Sequence, residues 1–288
     1  MSDEPSCSVV VPTYERPAAL RACLESLAAL DYPRERYEVV VVDDGGRTPL
    51  EDVVEPLRER LRLELVTQER GGPAAARNTG VARAGGELIA FTDDDCRPRP
   101  DWLRRLAERV RAAPQEAVGG RTVNALAQNP FSRAAQLVID VGYRQSNEGP
   151  DSRRWFTTNN LAVPAAGFHA VGGFDPSFRT AEDRDFCSRW LAYGLRMSYE
   201  PRAVVEHAHE LTLASFTRMH FEYGRGALRY HGKQRRGGRP VRIEPSFYVA
   251  LARAARRAGL VAPVVLWYAS STAGFAWEWL AAQRRRAG

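Results

Sequence analysis

The segment Phe91-Thr92-Asp93-Asp94-Asp95-Cys96 sets three consecutive carboxylates directly behind an apolar run, Glu87 to Phe91, that reads as a buried strand. Like charges crowded at a strand end repel one another unless a cation or hydrogen-bond donors offset them. Hard divalent cations such as Mg²⁺ or Mn²⁺ suit such a cluster, because they take one or two carboxylates together with the phosphates of a substrate. An acidic turn or helix cap ahead of Pro98 and Pro100 would use the same residues. The other polar groups on the same rim weigh between the two.

The elements that would build that rim alternate. Ser8 to Val11 reads as a strand ending in Pro12-Thr13-Tyr14-Glu15, and Pro17 to Leu30 follows with helical spacing. Tyr37 to Val42 is a second strand ending in Asp43-Asp44-Gly45-Gly46, Pro49 to Leu61 a helix, and Leu63 to Thr67 a third strand. Gly71-Gly72-Pro73 opens a helix over Ala74 to Ala84, before the strand that leads to the aspartates. Alternation of this kind predicts a Rossmann-like, mostly parallel sheet flanked by helices. In such sheets ligands bind beyond the carboxyl ends of the strands, where Pro12 to Glu15, Asp43-Asp44 and Asp93 to Asp95 all fall.

Further along, the pattern predicts a helix over Asp101 to Ala113, a strand over Val118 to Asn124, a helix over Asn129 to Gly142, and a polar loop from Gln145 to Arg154. Asn159 to Val163 is strand-like, Gly172-Gly173-Phe174-Asp175-Pro176 a turn, and Thr180 to Ala192 a helix with Thr180 as its cap. His207 and His209, at period two, would face the same side of a strand.

The chain has 288 residues, 44% of them hydrophobic and 26% charged, and a net charge of +6. These values fit a globular α/β protein and argue against a disordered or polytopic membrane chain. The positive charge is nearly all Arg, which suits phosphate, while no helix-turn-helix or aromatic-rich basic strand points to nucleic acid. Cys7, Cys23, Cys96 and Cys187 are dispersed without C-x-x-C spacing, so neither a zinc site nor a disulfide framework is expected. With a polar, acidic start and no secretory signal, the expectation is a cytoplasmic protein.

Taken in order, Val10 to Arg16, Val41 to Gly45, Ala74 to Gly80, the three aspartates, Gly172 to Asp175 and Glu182-Asp183 resemble the inverting family 2 glycosyltransferases of the GT-A fold. The resemblance implies a GT-A domain over residues 1–230, followed by a basic linker and apolar helical segment over 231–288. It implies that Pro12, Tyr14, Glu15 and Asp44 line a nucleoside pocket, and that Arg77 contacts the base or the diphosphate. Asp93 would bind ribose, with Asp94 beside it, and Asp95 and His207 would hold Mn²⁺ or Mg²⁺. Asp183, paired with Glu182, matches the general base that takes the acceptor hydroxyl's proton as it attacks the anomeric carbon. Arg225 resembles a lid residue that meets the diphosphate.

The resemblance implies transfer of a sugar from a nucleoside diphosphate donor, UDP-linked by expectation, to a glycan, lipid-linked or small-molecule acceptor. Among Trp155, Phe156 and Trp190, Trp155 is the better ring for an acceptor sugar to stack on. Two other readings compete: a nucleotidyltransferase on a related scaffold, and a non-catalytic sugar-nucleotide-binding or membrane-scaffold protein. Leu260 to Ala282 is apolar over about the ~20 residues of a bilayer span, yet Pro263, Gly274 and Glu278 interrupt it. It is expected as a packed helical hairpin or as an interfacial helix at the inner membrane face.

Overall fold

The computed structural model describes residues 4–147, 154–238 and 244–287. The chain forms two compact units, one of Met1–Ala125, Gly149–Ser177 and Glu182–Ala208, the other of Leu126–Glu148, Phe178–Ala181 and His209–Gly288.

The first unit is built on an eight-stranded sheet in the order β3-β2-β1-β4-β7-β6-β8-β5. Its strands are β1 (Cys7–Thr13), β2 (Tyr37–Asp43), β3 (Leu63–Thr67), β4 (Leu88–Phe91), β5 (Cys96–Pro98), β6 (Ala117–Asn124), β7 (Leu161–Pro164) and β8 (Met197–His207). The block β3-β2-β1-β4 is parallel, as the alternation predicts, and β6 and β8 also run parallel. β7 is antiparallel to both its neighbours, and β5 is antiparallel to β8. The Val-rich β1 and β2 are buried on both faces, which explains their continuous apolar runs.

Helices α1 (Pro17–Leu27), α3 (Pro73–Arg83) and α4 (Trp102–Ala112) pack on the sheet, the first two starting with Pro in the first turn, where a missing N–H costs nothing. The helix expected over Pro49 to Leu61 is shorter: α2 spans only Glu51–Val54 and gives way to a 3₁₀ turn at Glu55–Leu57. Pro56 removes a helix hydrogen bond and crowds the preceding turn. Gly80 lets α3 lie close to β1, since a Cβ there would come within 2.4 Å of Val10 Cγ1. Two further helices, α6 (Ala165–Val171) and α7 (Glu182–Ala192), carry the turn and the acid pair. Thr180 does not cap α7; Ala181 intervenes with φ 71°, a left-handed conformation uncommon outside glycine.

The second unit is helical: α5 (Pro130–Asn147), α8 (Leu213–Arg236), α9 (Pro245–Ala258) and α10 (Val261–Ala287). α5 runs into the stretch expected as a loop from Gln145, the rest of which to Arg153 lies outside the described residues. Its core joins Ala134 and Val141 to Phe216, Leu251, Ala255 and Val264. α8 and α10 touch backbone to backbone: a Cβ on Gly224 would sit 1.9 Å from Ser271 O, and one on Gly274 1.9 Å from Phe221 O. Glu278, 2% exposed, accepts hydrogen bonds from Arg225, Arg229 and Arg285. Burial pushes its carboxyl pKa up, and these three guanidiniums outweigh that and hold it at about 2. No helix of the described residues is long and apolar enough to cross a membrane.

Candidate active site

The acidic triplet is divided among four partners. Asp93 Oδ1 accepts from Arg77 Nη2 at 2.6 Å. Asp94, fully buried, accepts from Thr13 Oγ1 at 2.7 Å and faces Arg16 Nη2 at 2.5 Å. Asp95 accepts from Arg16 Nη1 at 2.8 Å on one oxygen and lies 3.2 Å from His207 Nε2 on the other. Strand register explains the convergence, because Thr13 ends β1 one strand over from β4 and Cys96 pairs with His207 across β5 and β8. Burial raises the Asp94 pKa to about 6 against the lowering pull of Arg16 and Thr13. Burial would lower the imidazolium pKa of His207, but the hydrogen bond and charge of Asp95 prevail and hold it above the ordinary value.

Arg77 is a buried strut. Its guanidinium, 4% exposed, joins Asp93 to Glu182, whose Oε1 accepts from Nη1 at 2.9 Å. The neighbouring Asn78 fixes α3 to the glycine turn: its Nδ2 donates to Phe174 O at 2.8 Å and its Oδ1 accepts from Phe174 N at 2.9 Å. Arg189 on α7 holds the same turn by donating to Val171 O and Gly173 O. α3, the turn at Gly172 and Gly173, and the start of α7 therefore form one braced frame. Within it Glu182 is pushed up to about 7, first by burial, with Arg77 opposing and Asp183 adding to the shift. Burial also raises Asp183, against the pull of Arg184.

On the opposite side of the rim, Tyr14 stacks under Arg70, whose Cζ lies 4.0 Å from the ring centroid. Glu15 takes a positive φ of 54° and accepts from Arg47 N and Thr48 Oγ1, which turns the chain from β1 into α1. Asp44 accepts three hydrogen bonds, from Gln68 Nε2, Gly71 N and Gly72 N, and so ties β2 to the loop that opens α3. Pro12 and Tyr14 are half-buried on this rim. Trp155, half-buried, has the Arg184 guanidinium 4.4 Å over its ring, beside the acid pair. Trp190 is core, fully buried and donating to Arg196 O.

Asp95, Cys96 and His207 offer ligand atoms that all lie within 4.8 Å of one another. A carboxylate and an imidazole fit Mn²⁺ better than Mg²⁺, which favours oxygen alone. Burial raises the Cys96 thiol well above its ordinary pKa. The expected same-face pairing of His207 with His209 does not form, because β8 ends at His207 and Ala208 N turns to donate to Asp95 O. Arg16, Arg70 and Cys96 had no role in the sequence reading. Arg16 had a signal in the matched stretch Val10 to Arg16 and Cys96 in its place directly after the triplet, whereas Arg70 had none.

A mixed α/β sheet with acidic and aromatic groups on the rim of its parallel block is the arrangement of a GT-A-type sugar-nucleotide fold. The model of "Glycosyl transferase family 2" matches residues 8–181, and the chain belongs to that family. It is 32% identical over 225 residues to the pre-mycofactocin glycosyltransferase of Mycobacterium tuberculosis, covering 76% of this chain and 46% of that protein. It is 34% identical over 249 residues to the validoxylamine A glucosyltransferase of Streptomyces hygroscopicus, covering 74% and 59%. The chain thus spans about half the length of these curated relatives. In fold it is similar to the mannosyltransferase PcManGT of Pyrobaculum calidifontis, solved with GDP-Man and Mn²⁺, at a TM-score of 0.65 and 24% identity over 93% of this chain and 74% of that one. It is also similar to S. aureus TarS 1-349 with UDP-GlcNAc, at 0.59 and 19% over 94% and 89%.

Proposed function

We propose that this chain is an inverting, metal-dependent glycosyltransferase that moves a sugar from a nucleoside diphosphate donor, UDP-linked, to an acceptor hydroxyl. The observation that carries the reading is the braced frame in which Arg77 joins Asp93 of the triplet to Glu182 of the acid pair. Pro12, Tyr14, Glu15 and Asp44, with Arg70 over Tyr14, wall the nucleoside pocket, and Asp93 binds the ribose, with the buried Asp94 behind it holding Thr13 and Arg16. Arg77 acts by holding Asp93 and Glu182 in register. Asp95 and His207 would hold Mn²⁺, or Mg²⁺ less well, and the ion would neutralise the diphosphate as leaving group.

Asp183 is the general base. Its raised pKa brings it closer to neutral pH, where a base is both deprotonated and a strong enough proton acceptor. Glu182 and Arg77 position it, and Trp155 offers the acceptor sugar an apolar face. One displacement at the anomeric carbon, with the acceptor proton passing to Asp183, inverts its configuration. The four cysteines, all buried free thiols, suit a cytoplasmic setting.

Membrane-surface contact forms part of the reading. Val261, Val265, Tyr268, Phe275 and Trp279 form one exposed stripe of α10 at helical spacing, and Arg253, Arg256, Arg257, Arg284 and Arg285 flank it. The functional test is a donor screen with Mn²⁺ that reads nucleoside diphosphate release and, by proton NMR, the anomeric configuration of the product. UDP-sugar turnover with inversion is expected, and Asp183→Asn should lower kcat by about 10²–10⁴. Retention, or normal transfer by Asp183→Asn, overturns the assignment.

A further inference from the structure

The helical unit contains a cavity of about 480 Å³ lined by Arg179, Thr180, Glu222, Arg225 and Arg229. Of the residues that the resemblance assigns to the donor, Arg225 lines it, held there by Glu222 and Glu278. Its arginines are held in place. Arg225 donates through Nε to Glu278 and through Nη1 to Glu222, and Arg229 donates through Nε and Nη2 to Glu278. Arg225 Nη2 and Arg229 Nη1 have no partner among the described residues, and neither does any nitrogen of the exposed Arg179 side chain. Fixed guanidiniums with unused N–H donors are the arrangement that reads oxyanions.

Charge and shape narrow the ligand. Four guanidiniums, those of Arg179, Arg225, Arg229 and Arg285, stand with two carboxylates, Glu222 and Glu278, which leaves two positive charges in excess. A phosphate monoester, carrying about −1.5 to −2 at neutral pH, matches that excess better than a carboxylate does. The volume admits more than a bare phosphate and lies within the range of small-molecule sites, ~300–1,000 Å³. The wall at Thr180 depends on Gly226: a Cβ there would lie 2.1 Å from Thr180 Oγ1. Thr180 Oγ1 in turn donates to Glu222 O at 3.0 Å, so the 178–181 segment is seated against α8.

We propose that this cavity of the helical unit is a phosphate-recognising site whose ligand is a phosphorylated molecule. The phosphate comes either from a soluble sugar phosphate or from a lipid phosphate.

The test is calorimetric titration of the full chain, saturated with UDP and Mn²⁺, using inorganic phosphate, glucose 6-phosphate and dodecyl phosphate below its critical micelle concentration. One of the two esters should bind more tightly than inorganic phosphate, glucose 6-phosphate marking a soluble ligand and dodecyl phosphate a lipid-linked one. Arg179→Gln, which breaks no internal contact, should weaken that ester by about tenfold or more while leaving UDP affinity within twofold. Unchanged ester affinity in Arg179→Gln overturns the proposal. So does loss of ester binding whenever UDP is present, which would give the cavity to the donor. Ester binding that survives in a wild-type chain unable to bind UDP would uphold the subsite and remove the donor reading instead.

Discussion

Replacing Arg77 by Met should cost more than any other single change on the rim. Arg77 is 4% exposed and donates one charge-assisted hydrogen bond to Asp93 and one to Glu182, which is 10% exposed on its side chain. Two such bonds at ~1.5–3 kcal/mol each, and the general cost of breaking a buried pair, ~3–5 kcal/mol, agree on a loss of about 3–5 kcal/mol. For a chain of this size that is a fall in Tm of roughly 6–20 °C, read by calorimetry or circular dichroism at pH 7.5. The loss has a pH signature. Arg77 lowers the Glu182 pKa, so without it Glu182 titrates above its present value of about 7. A protonated Glu182 no longer needs the guanidinium, and the gap between variant and wild type should narrow as the pH falls from 7.5 to 6. Glu182→Gln in the Arg77→Met background should recover at least 1 kcal/mol, a coupling typical of residues in contact. A variant melting within 2 °C of wild type, or no recovery in the double variant, would show that Arg77 is not the strut described.

Two further predictions address the helical unit. His220 is 3% exposed among Phe216, Tyr223 and Trp267, and neither ring nitrogen has a partner among the described residues. Burial, with His209 adding to it, lowers its pKa to about 3, so the unfolded chain takes up a proton below pH 6.5 that the folded chain refuses. Stability should fall as the pH drops from 6.5 toward 3, by about 2–3 kcal/mol at pH 4.5, and His220→Phe should flatten that slope while holding or raising Tm at pH 7. Gly274→Ala places a methyl 1.9 Å from Phe221 O, backbone that cannot rotate away. It should destabilise by about 1–3 kcal/mol or more, read from the urea midpoint, whereas Ala273→Ser on an exposed position should be neutral.

What the sequence disclosed was mostly local. β3 falls at Leu63–Thr67 as its apolar run predicts, and the parallel block follows from the strand and helix alternation. The triplet was legible because three adjacent carboxylates behind a buried strand demand compensation. The nature of that compensation was hidden in long-range pairing: Arg16 meets Asp95 from 79 positions away, and Arg77 meets Glu182 across 105. The neighbours of each arginine mark it as part of the rim, but they do not name the carboxylate it meets. Asn160 was invisible for the same reason, although it is fully buried, accepts from Trp102 Nε1 and donates to Arg121 O and Ala203 O. Its bonds lie where β6 shifts register against β8, between Gly120 and Arg121. The early end of α2 at Pro56 and the end of β8 at His207 are boundary effects, set by a missing N–H and by the turn of Ala208 to Asp95.

The account stands or falls on whether Asp95 and His207 bind the donor through a metal. Titration of UDP into the wild-type chain with Mn²⁺, with EDTA, and into Asp95→Asn with Mn²⁺ measures this in one series. We predict binding that is saturable with Mn²⁺ and at least about tenfold weaker in both other arms, the usual cost of losing a metal ligand or its partner. Equal affinity in all three arms would contradict the metal-bridged donor site.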